Sequence, residues 1–419
     1  MGHSPAQPST QPGTPAPAHD GPATVVAHDV PLAQLTTFRI GGPAATLITA
    51  YSEHALADAV RAADAQGTPL LVIGGGSNML CADAGFAGTV VRDGRTAPLG
   101  AQTRENGRVA FTVPAGMVWD DAVEASLAHG LSGLEALSGI PGTAGAAPIQ
   151  NVGAYGHEVA EVISRIRVLD RRTGAVEERA YADFHPAYRD SDLKRSTRNR
   201  DIAGGTPFAP TGRWVVLAVT FDLAASDLSL PVQYAELAHR LGVEPGQQAP
   251  AAQVRATVLE LRRSKGMVSD DTDHDTWSAG SFFTNPILSP EDACQLPDGI
   301  PRYPAGSAVK TSAAWLIQHA GLPKGSAATG NPADDATAPA TLSTKHVLAL
   351  TNRGHATAAD VRALAQRVQA AVQQAYGITL VPEPVMVGFD ADRASAGGAE
   401  AADTAAADAA AQTEGGTHA

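Results

Sequence analysis

Apolar and polar positions along the 419-residue chain fall into two alternating periods, one strand-like and one helix-like. Leu70-Leu71-Val72-Ile73 is a short continuous apolar run that ends in Gly74-Gly75-Gly76, which reads as a buried strand feeding a tight loop. Just before it, Leu56, Val60 and Ala63 recur at helical spacing between His54 and Ala65. Residues 109–113 and 214–221 are rich in β-branched and aromatic side chains and predict strands. Residues 120–129 predict a helix that Gly130 stops, and in 251–265 Val254, Val258 and Leu261 share one face. The strongest helical pattern is 358–376, striped by Val361, Leu364, Val368 and Val372. Thr357 stands at its N-cap, with Asp360 as a short version of the capping-box acid. No internal repeat is visible, and the mixture of elements predicts a mixed α/β chain with a boundary near Lys265–Asp275 and a second, smaller one near 96–108.

The two ends carry no such pattern. Residues 1–28 are mostly Pro, Ala, Ser, Thr and Gln, and 390–419 mostly Ala, Gly, Asp and Glu. Neither offers an apolar stripe that would offset the entropy of ordering, so both read as disordered tails around a folded part at 29–389. Residues 325–341 read as a flexible surface insertion. The net charge of −13 disfavours a general nucleic-acid binder, which needs a basic face; an anionic small substrate needs a local basic pocket. Two cysteines, Cys81 and Cys294, exclude a disulfide framework and cysteine-rich metal sites. There is no apolar run of spanning length and no secretory leader pattern, so a soluble, cytoplasmic protein is expected. His157-Glu158 begins like a zinc-protease helix, but Glu161 stands where the second His belongs, so no metal site is expected.

Five segments carry candidate chemistry. Gly74-Gly75-Gly76-Ser77-Asn78 follows a strand, so its backbone N–H groups can approach a phosphate; a plain tight turn reads equally well. The uncharged stretch 138–156 holds glycines and prolines that suit a loop wrapped around a flat or extended ligand, or a structural Ω-loop. Arg189, in Tyr188-Arg189-Asp190-Ser191, can clamp a carboxylate through its planar fork or form a surface pair with Asp190. Ser281, in Gly280-Ser281-Phe282-Phe283-Thr284-Asn285, lacks a nucleophile elbow; it is either a proton donor in an apolar setting or a core-facing serine. Glu383, between Pro382 and Pro384, is either a desolvated acid that keeps its proton or an exposed edge residue.

These segments occur in one order with Thr37-Phe38-Arg39-Ile40-Gly41-Gly42, Ile140-Pro141-Gly142 and Pro148-Ile149-Gln150-Asn151-Val152-Gly153-Ala154-Tyr155-Gly156. The set resembles the UDP-N-acetylenolpyruvoylglucosamine reductase (MurB) family, in its type I branch, over about residues 30–388. The resemblance implies an FAD-binding fold of the p-cresol methylhydroxylase/vanillyl-alcohol-oxidase type. It divides the chain into FAD-binding subdomains at 29–96 and 97–264, an α+β substrate-binding domain at 265–380, and a return strand at 381–389 carrying the acid. It implies NADPH-dependent reduction of an enolpyruvyl ether on UDP-N-acetylglucosamine to UDP-N-acetylmuramate, a peptidoglycan precursor, with noncovalent FAD in a monomer.

On that resemblance Ser281, Arg189 and Glu383 are catalytic. Arg189 and a protonated Glu383 face the substrate carboxylate, Ser281 protonates the carbanion, and Lys265 or Asn285 orients Ser281. FAD is held by Gly74, Gly75, Gly76, Ser77, Asn78, Gly142, Gly145, Ile149, Gly153 and Arg262. Tyr188, Tyr234, Lys265, Asn285 and Lys345 contact the substrate, Tyr234 from a mobile loop and Lys345, with His346, as a weaker match for the diphosphate. Pro384 stands where a β-branched residue is more usual. Two rival readings are another flavin oxidase or dehydrogenase of the same superfold and a flavin- or UDP-sugar-binding regulator without catalysis.

Overall fold

A computed structural model describes residues 22–104, 106–329 and 336–389. The strand Thr24–Pro31 pairs antiparallel with Pro43–Ala50, which runs parallel to Phe86–Asp93, itself parallel to Leu70–Ile73. The helix Glu53–Ala65, capped by the Ser52 hydroxyl, buries Leu56, Val60 and Ala63 against this sheet. The first strand starts inside the segment read as a tail: residues 24–28 pair with 46–50. The signal is present in Thr24-Val25-Val26, a β-branched run too short to outweigh its Pro- and Ala-rich neighbours. Residues 1–21 and 390–419 lie outside the described residues.

A second, antiparallel sheet runs in the order Val176–Ala180, Ile163–Asp170, Trp214–Ala225, Arg108–Pro114 and Gly100–Thr103. Its central strand Trp214–Ala225 is buried over most of its length, which is why it reads as a continuous apolar run. Phe111, Val113, Val219 and Phe221 form its core with Trp119 and Val123 of the helix Trp119–Ala128.

The C-terminal part packs the helix Ala358–Tyr376 over the hairpin Ala340–Leu342/Leu350–Asn352. Thr357 and Asp360 form the reciprocal capping box, and Gly377 ends the helix in the left-handed region at φ +70°. The segment 325–341 is not loose at its ends: Ala327 is fully buried and bridges Thr341, and Arg367 donates to the Ala327 carbonyl. Residues 330–335 of that segment lie outside the described residues. Finally, Val385–Val387 returns to pair in parallel with Met79–Cys81, next to the Gly74–Asn78 loop. This return places Glu383 beside that loop, where Asn78 Nδ2 donates to its carbonyl at 3.4 Å. Among the described residues no helix is long and apolar enough to cross a membrane.

Candidate active site

Two glycine-rich loops face each other across the join between the sheets. Gly75 lies so close to Gly142 that a Cβ on Gly75 would stand 2.8 Å from the Gly142 Cα. Gly76 is left-handed at φ +58°, and a Cβ there would meet the Leu35 carbonyl oxygen at 1.9 Å. Only glycine satisfies both conditions. Ser77 Oγ donates to the Pro141 carbonyl at 2.9 Å, and Asn78 Nδ2 donates to Gln150 Oε1 at 2.6 Å, so the loops are bonded as a pair.

The loop 148–153 is tied in turn to the segment carrying Arg189. Ser191 Oγ donates to the Ile149 carbonyl at 2.5 Å, and Asn151 Nδ2 to the Ala187 carbonyl at 3.1 Å. Arg189 Nη2 donates to the Gly153 carbonyl at 2.8 Å, from a backbone held at φ +56°. A non-glycine residue at positive φ is uncommon and marks a position fixed by its surroundings.

The third contributor is the C-terminal part. Phe282 and Phe283 are buried in its core, and the Ser281 backbone is carried between them and Gly280. Glu383 N donates to the Phe282 carbonyl at 2.9 Å and Pro382 bridges Phe283, so the serine and the acid sit on paired segments.

These pieces line one cavity of about 1980 Å³. Gly74, Gly75, Gly76, Ser77, Asn78, Gly142, Gly145, Ile149, Gly153 and Arg262 all reach it, as do Tyr188, Arg189, Asn285, Ser281 and Glu383. Three of the expected substrate contacts do not. Tyr234 is the N-cap of the helix Ala235–Leu241, stacks edge-on to Tyr155 and is 39% exposed. Lys265 pairs with Glu236 at 3.1 Å, and Lys345 pairs with Asp273.

The two candidates for orienting Ser281 each have a partner of their own. Lys265 is held by Glu236, and Asn285 Oδ1 accepts from the Ala313 N–H at 3.0 Å, at the start of the helix Ala313–His319. Among the described residues, a side chain within reach of Ser281 Oγ is His346, whose Nε2 stands at 3.5 Å.

Sequence reasoning also missed Lys194. It lines the cavity, donates to the Arg189 carbonyl at 3.1 Å and sits within the field of Glu383 and Asp190. Its signal is its place five residues after Arg189, on the short helix Asp192–Arg195. Arg189, Lys194 and Arg262 supply the local cations that an acidic chain needs for an anionic ligand.

Burial raises the Glu383 carboxyl above the usual carboxylate range, against the pull of Arg189 and Lys194. Burial likewise raises the Tyr188 hydroxyl and lowers the Lys194 ammonium. It pushes the His346 imidazole down to about 4, with Lys265, Lys324 and Arg262 adding to the shift.

Comparison with known proteins agrees with this layout. The family described as UDP-N-acetylenolpyruvoylglucosamine reductase, C-terminal domain, matches residues 271–387, and the family described as FAD binding domain matches 44–179. The UDP-N-acetylenolpyruvoylglucosamine reductase of Cutibacterium acnes is 50% identical over 366 residues, covering 86% of this chain and 90% of its own. The chain belongs to the UDP-N-acetylenolpyruvoylglucosamine reductase family. The relative of that name from Streptomyces avermitilis is 49% identical over 375 residues, covering 87% of this chain and 95% of its own. The crystal structure of the reductase (MurB) from Thermus caldophilus shares the fold at a TM-score of 0.56, with 24% identity, over 87% of this chain and 99% of that one. The fold is thus α+β, an FAD-binding domain followed by the family's C-terminal domain.

The residues present fit FAD. Among the described residues, the successive N–H groups of Gly75, Gly76 and Ser77 make no hydrogen bond, and they line the cavity where a Cβ is excluded. Such a run of donors suits a pyrophosphate. Arg262 Nε is buried with no hydrogen-bond partner, although its Nη2 donates to the Met267 carbonyl at 2.8 Å. A buried guanidinium N–H of this kind suits an acceptor atom on a ligand ring.

Proposed function

We propose that the chain catalyses the reduction of the enolpyruvyl ether of UDP-N-acetylglucosamine to UDP-N-acetylmuramate, with noncovalent FAD and NADPH as the electron donor. One observation carries the reading beyond family membership: Arg189, Glu383 and Ser281, from three segments far apart in sequence, line the same cavity as the two glycine-rich loops.

The Gly74–Asn78 loop, with Gly142, Gly145, Ile149 and Gly153, holds the cofactor largely by backbone, and Arg262 faces its ring system. When bound, FAD supplies a hydride to the methylene carbon of the enolpyruvyl group. Carbanion character then develops on the carbon next to the carboxylate, as an enediolate-like species. Arg189 supplies fixed positive charge to that carboxylate, and Glu383 donates a hydrogen bond in its protonated form, which its burial favours. Ser281 gives its hydroxyl proton to the carbanion carbon. Tyr188, Asn285 and Lys194 line the same space and orient the rest of an anionic substrate. Tyr234 and Lys265, joined through Glu236, act as a unit at its margin and reach the substrate only by moving. The reaction belongs in the cytoplasm, where NADPH is available.

The test is the visible absorbance of the purified protein under anaerobic conditions. A flavin band that bleaches with NADPH and returns with the enolpyruvyl substrate is the expected result. Ser281→Ala leaves the bleaching near normal and slows the return by roughly 10²–10⁴-fold. A band that bleaches and does not return with this substrate overturns the substrate assignment and favours another flavoenzyme.

A further inference from the structure

Ser281 is a weak acid, so its role as proton donor requires a partner for the charge left on Oγ. The structure offers one. His346 lies in the turn of the hairpin Ala340–Leu342/Leu350–Asn352, with Nε2 3.5 Å from Ser281 Oγ. Ser281 lines the cavity and His346 does not, so the imidazole sits behind the serine relative to the substrate. The turn is held in place. Ser343 Oγ accepts from the N–H groups of Lys345 and His346 at 3.0 and 3.2 Å. Ala349 N donates to the His346 carbonyl at 3.0 Å, and Phe282 N donates to the Leu348 carbonyl at 2.8 Å, so the serine segment and the turn move together.

We propose that His346 is a positioning residue for Ser281: its neutral imidazole donates Nε2–H to Ser281 Oγ, leaving the hydroxyl proton for the substrate. This rests on the assignment of Ser281 as the proton donor. The tautomer follows from the direction of transfer. Were Nε2 the acceptor, the Ser281 proton would point into the protein and the serine could not act as an acid. The neighbouring charges also favour the neutral ring. The charges of Lys265 and Arg262, from the helix region 251–265, and of Lys324, ahead of the hairpin, act on it and disfavour a cationic ring.

The step balances without a further reagent. The carbanion lone pair takes the Ser281 proton and forms the new C–H bond. Oγ keeps the O–H bonding pair as an alkoxide, to which Nε2–H stays hydrogen-bonded. Water returns the proton to Oγ once product leaves. A contact of 3.5 Å is long, as catalytic hydrogen bonds often are before substrate is bound.

The experiment compares His346→Ala, His346→Gln and Ser281→Ala in the FAD-loaded enzyme, after confirming flavin content. Flavin reduction by NADPH and reoxidation by substrate are followed separately under anaerobic conditions. The expected result is that His346→Ala slows saturated reoxidation by roughly 10- to 100-fold. Flavin reduction stays near normal, and His346→Gln, whose amide N–H can reach Oγ, recovers part of the rate. In parallel, ¹⁵N NMR of histidine-labelled wild-type enzyme, with His346 assigned by its loss in His346→Gln, should show Nε2 protonated and Nδ1 bare; this readout does not depend on a variant folding well. Saturated reoxidation at the parental rate in His346→Ala, or an effect confined to substrate affinity, overturns the proposal. So does an Nδ1–H tautomer. If Ser281→Ala is itself unaffected, it is the proton-donor assignment that fails, and the two failures are thereby distinguished.

Discussion

Arg189 Nε stands 3.6 Å from Glu383 Oε1, close enough to feel its charge and too far for a good hydrogen bond. Glu383 is only 11% exposed at its side chain, and burial raises its pKa despite Arg189 and Lys194 nearby. The sign of the pH dependence follows. A carboxyl whose folded pKa lies above its unfolded value binds its proton more tightly in the folded state. The associated stability is fully present below the unfolded pKa, about 4.3, and is lost as pH rises through the folded pKa. The hydrogen-bond donor is lost over the same rise. The rate of reoxidation by substrate should therefore fall on the alkaline side of this step. Glu383→Gln, which keeps a donor and cannot ionise, should lack the step and should hold its thermal stability better than the parent as pH rises. An identical pH profile in the variant would remove Glu383 as the titrating donor.

The same pair predicts what a conservative change does to the cation. Arg189→Lys keeps the charge and loses the planar fork that matches a carboxylate. It also loses the Nη2 bond to the Gly153 carbonyl, which fixes the side chain against the flavin-side loop. The expected outcome is a fall of roughly 10- to 100-fold in kcat/KM for the enolpyruvyl substrate, with NADPH-driven flavin reduction near normal. Steady-state kinetics combined with single-turnover reduction separates the two. Equal loss in both half-reactions would point to a damaged flavin site.

What could be read in the sequence divides along physical lines. Elements whose stripe or run is long were legible: Leu70–Ile73 and Ala358–Tyr376 match the predicted ranges residue for residue, capping box included. The glycine loops were legible as loops because their composition forbids other structure. That Gly75 lies against Gly142 was not, because a contact across 67 positions leaves no local trace. The same limit applies to what stands next to Ser281 Oγ. The resemblance offers Lys265 or Asn285 for that place, whereas His346 comes from a hairpin 65 residues away. Lys265 and Lys345 are expected as substrate contacts by resemblance, and a resemblance does not show whether an acid such as Glu236 or Asp273 already holds the cation.

Gly76 offers a test of the loop itself. Its φ of +58° costs an L-residue roughly 1–2 kcal/mol, and a Cβ at 1.9 Å from the Leu35 carbonyl oxygen adds a clash with backbone. Relief requires the loop to move, and with it the N–H groups of Gly75 and Ser77. Gly76→Ala should therefore lose flavin affinity as well as stability, measured as FAD content after dialysis and by titration of the apoprotein. Gly130→Ala is the control: it also has positive φ, at +67°, but a Cβ there meets nothing within 4 Å, so it should strain the backbone and keep the flavin. Equal flavin loss in both variants would show that global destabilisation, and not the shape of the loop, releases the cofactor.

His346 carries a stability prediction that is independent of catalysis. Its folded pKa, about 4, lies below the ordinary value of 6.5. Between those values the unfolded chain binds a proton that the folded chain refuses, so folding stability falls as pH drops from 6.5 toward 4. His346→Gln removes that dependence. Its thermal midpoint should decline less than the parent's across this window and run parallel to it above pH 7. A parent and variant that lose stability in step would mean the imidazole is already protonated in the folded state.

The segment Thr37–Ile40 lies between the strands Thr24–Pro31 and Pro43–Ala50 of the first sheet and packs into the C-terminal part. Phe38 is fully buried within the C-terminal core, edge-on to Phe282 at 6.3 Å, and its carbonyl accepts from Asn352 Nδ2 at 2.9 Å. Arg39, left-handed at φ +55°, lays its guanidinium 4.1 Å from the Trp277 ring centroid and pairs with Asp271. Thr37 Oγ1 donates to the Ser278 carbonyl at 2.6 Å. The motif therefore places Ser281, three residues after Ser278, relative to the glycine loops. Phe38→Ala should leave a cavity at this joint and cost about 3–5 kcal/mol locally. Because the loss falls on one core, it should appear as faster amide exchange in the helices Ala313–His319 and Ala358–Tyr376, with the strand Trp214–Ala225 unchanged. Substrate-driven reoxidation should slow while flavin content holds. Uniform acceleration of exchange through all three regions would show instead that the molecule unfolds as one unit and that Phe38 is not a local hinge between cofactor loops and serine.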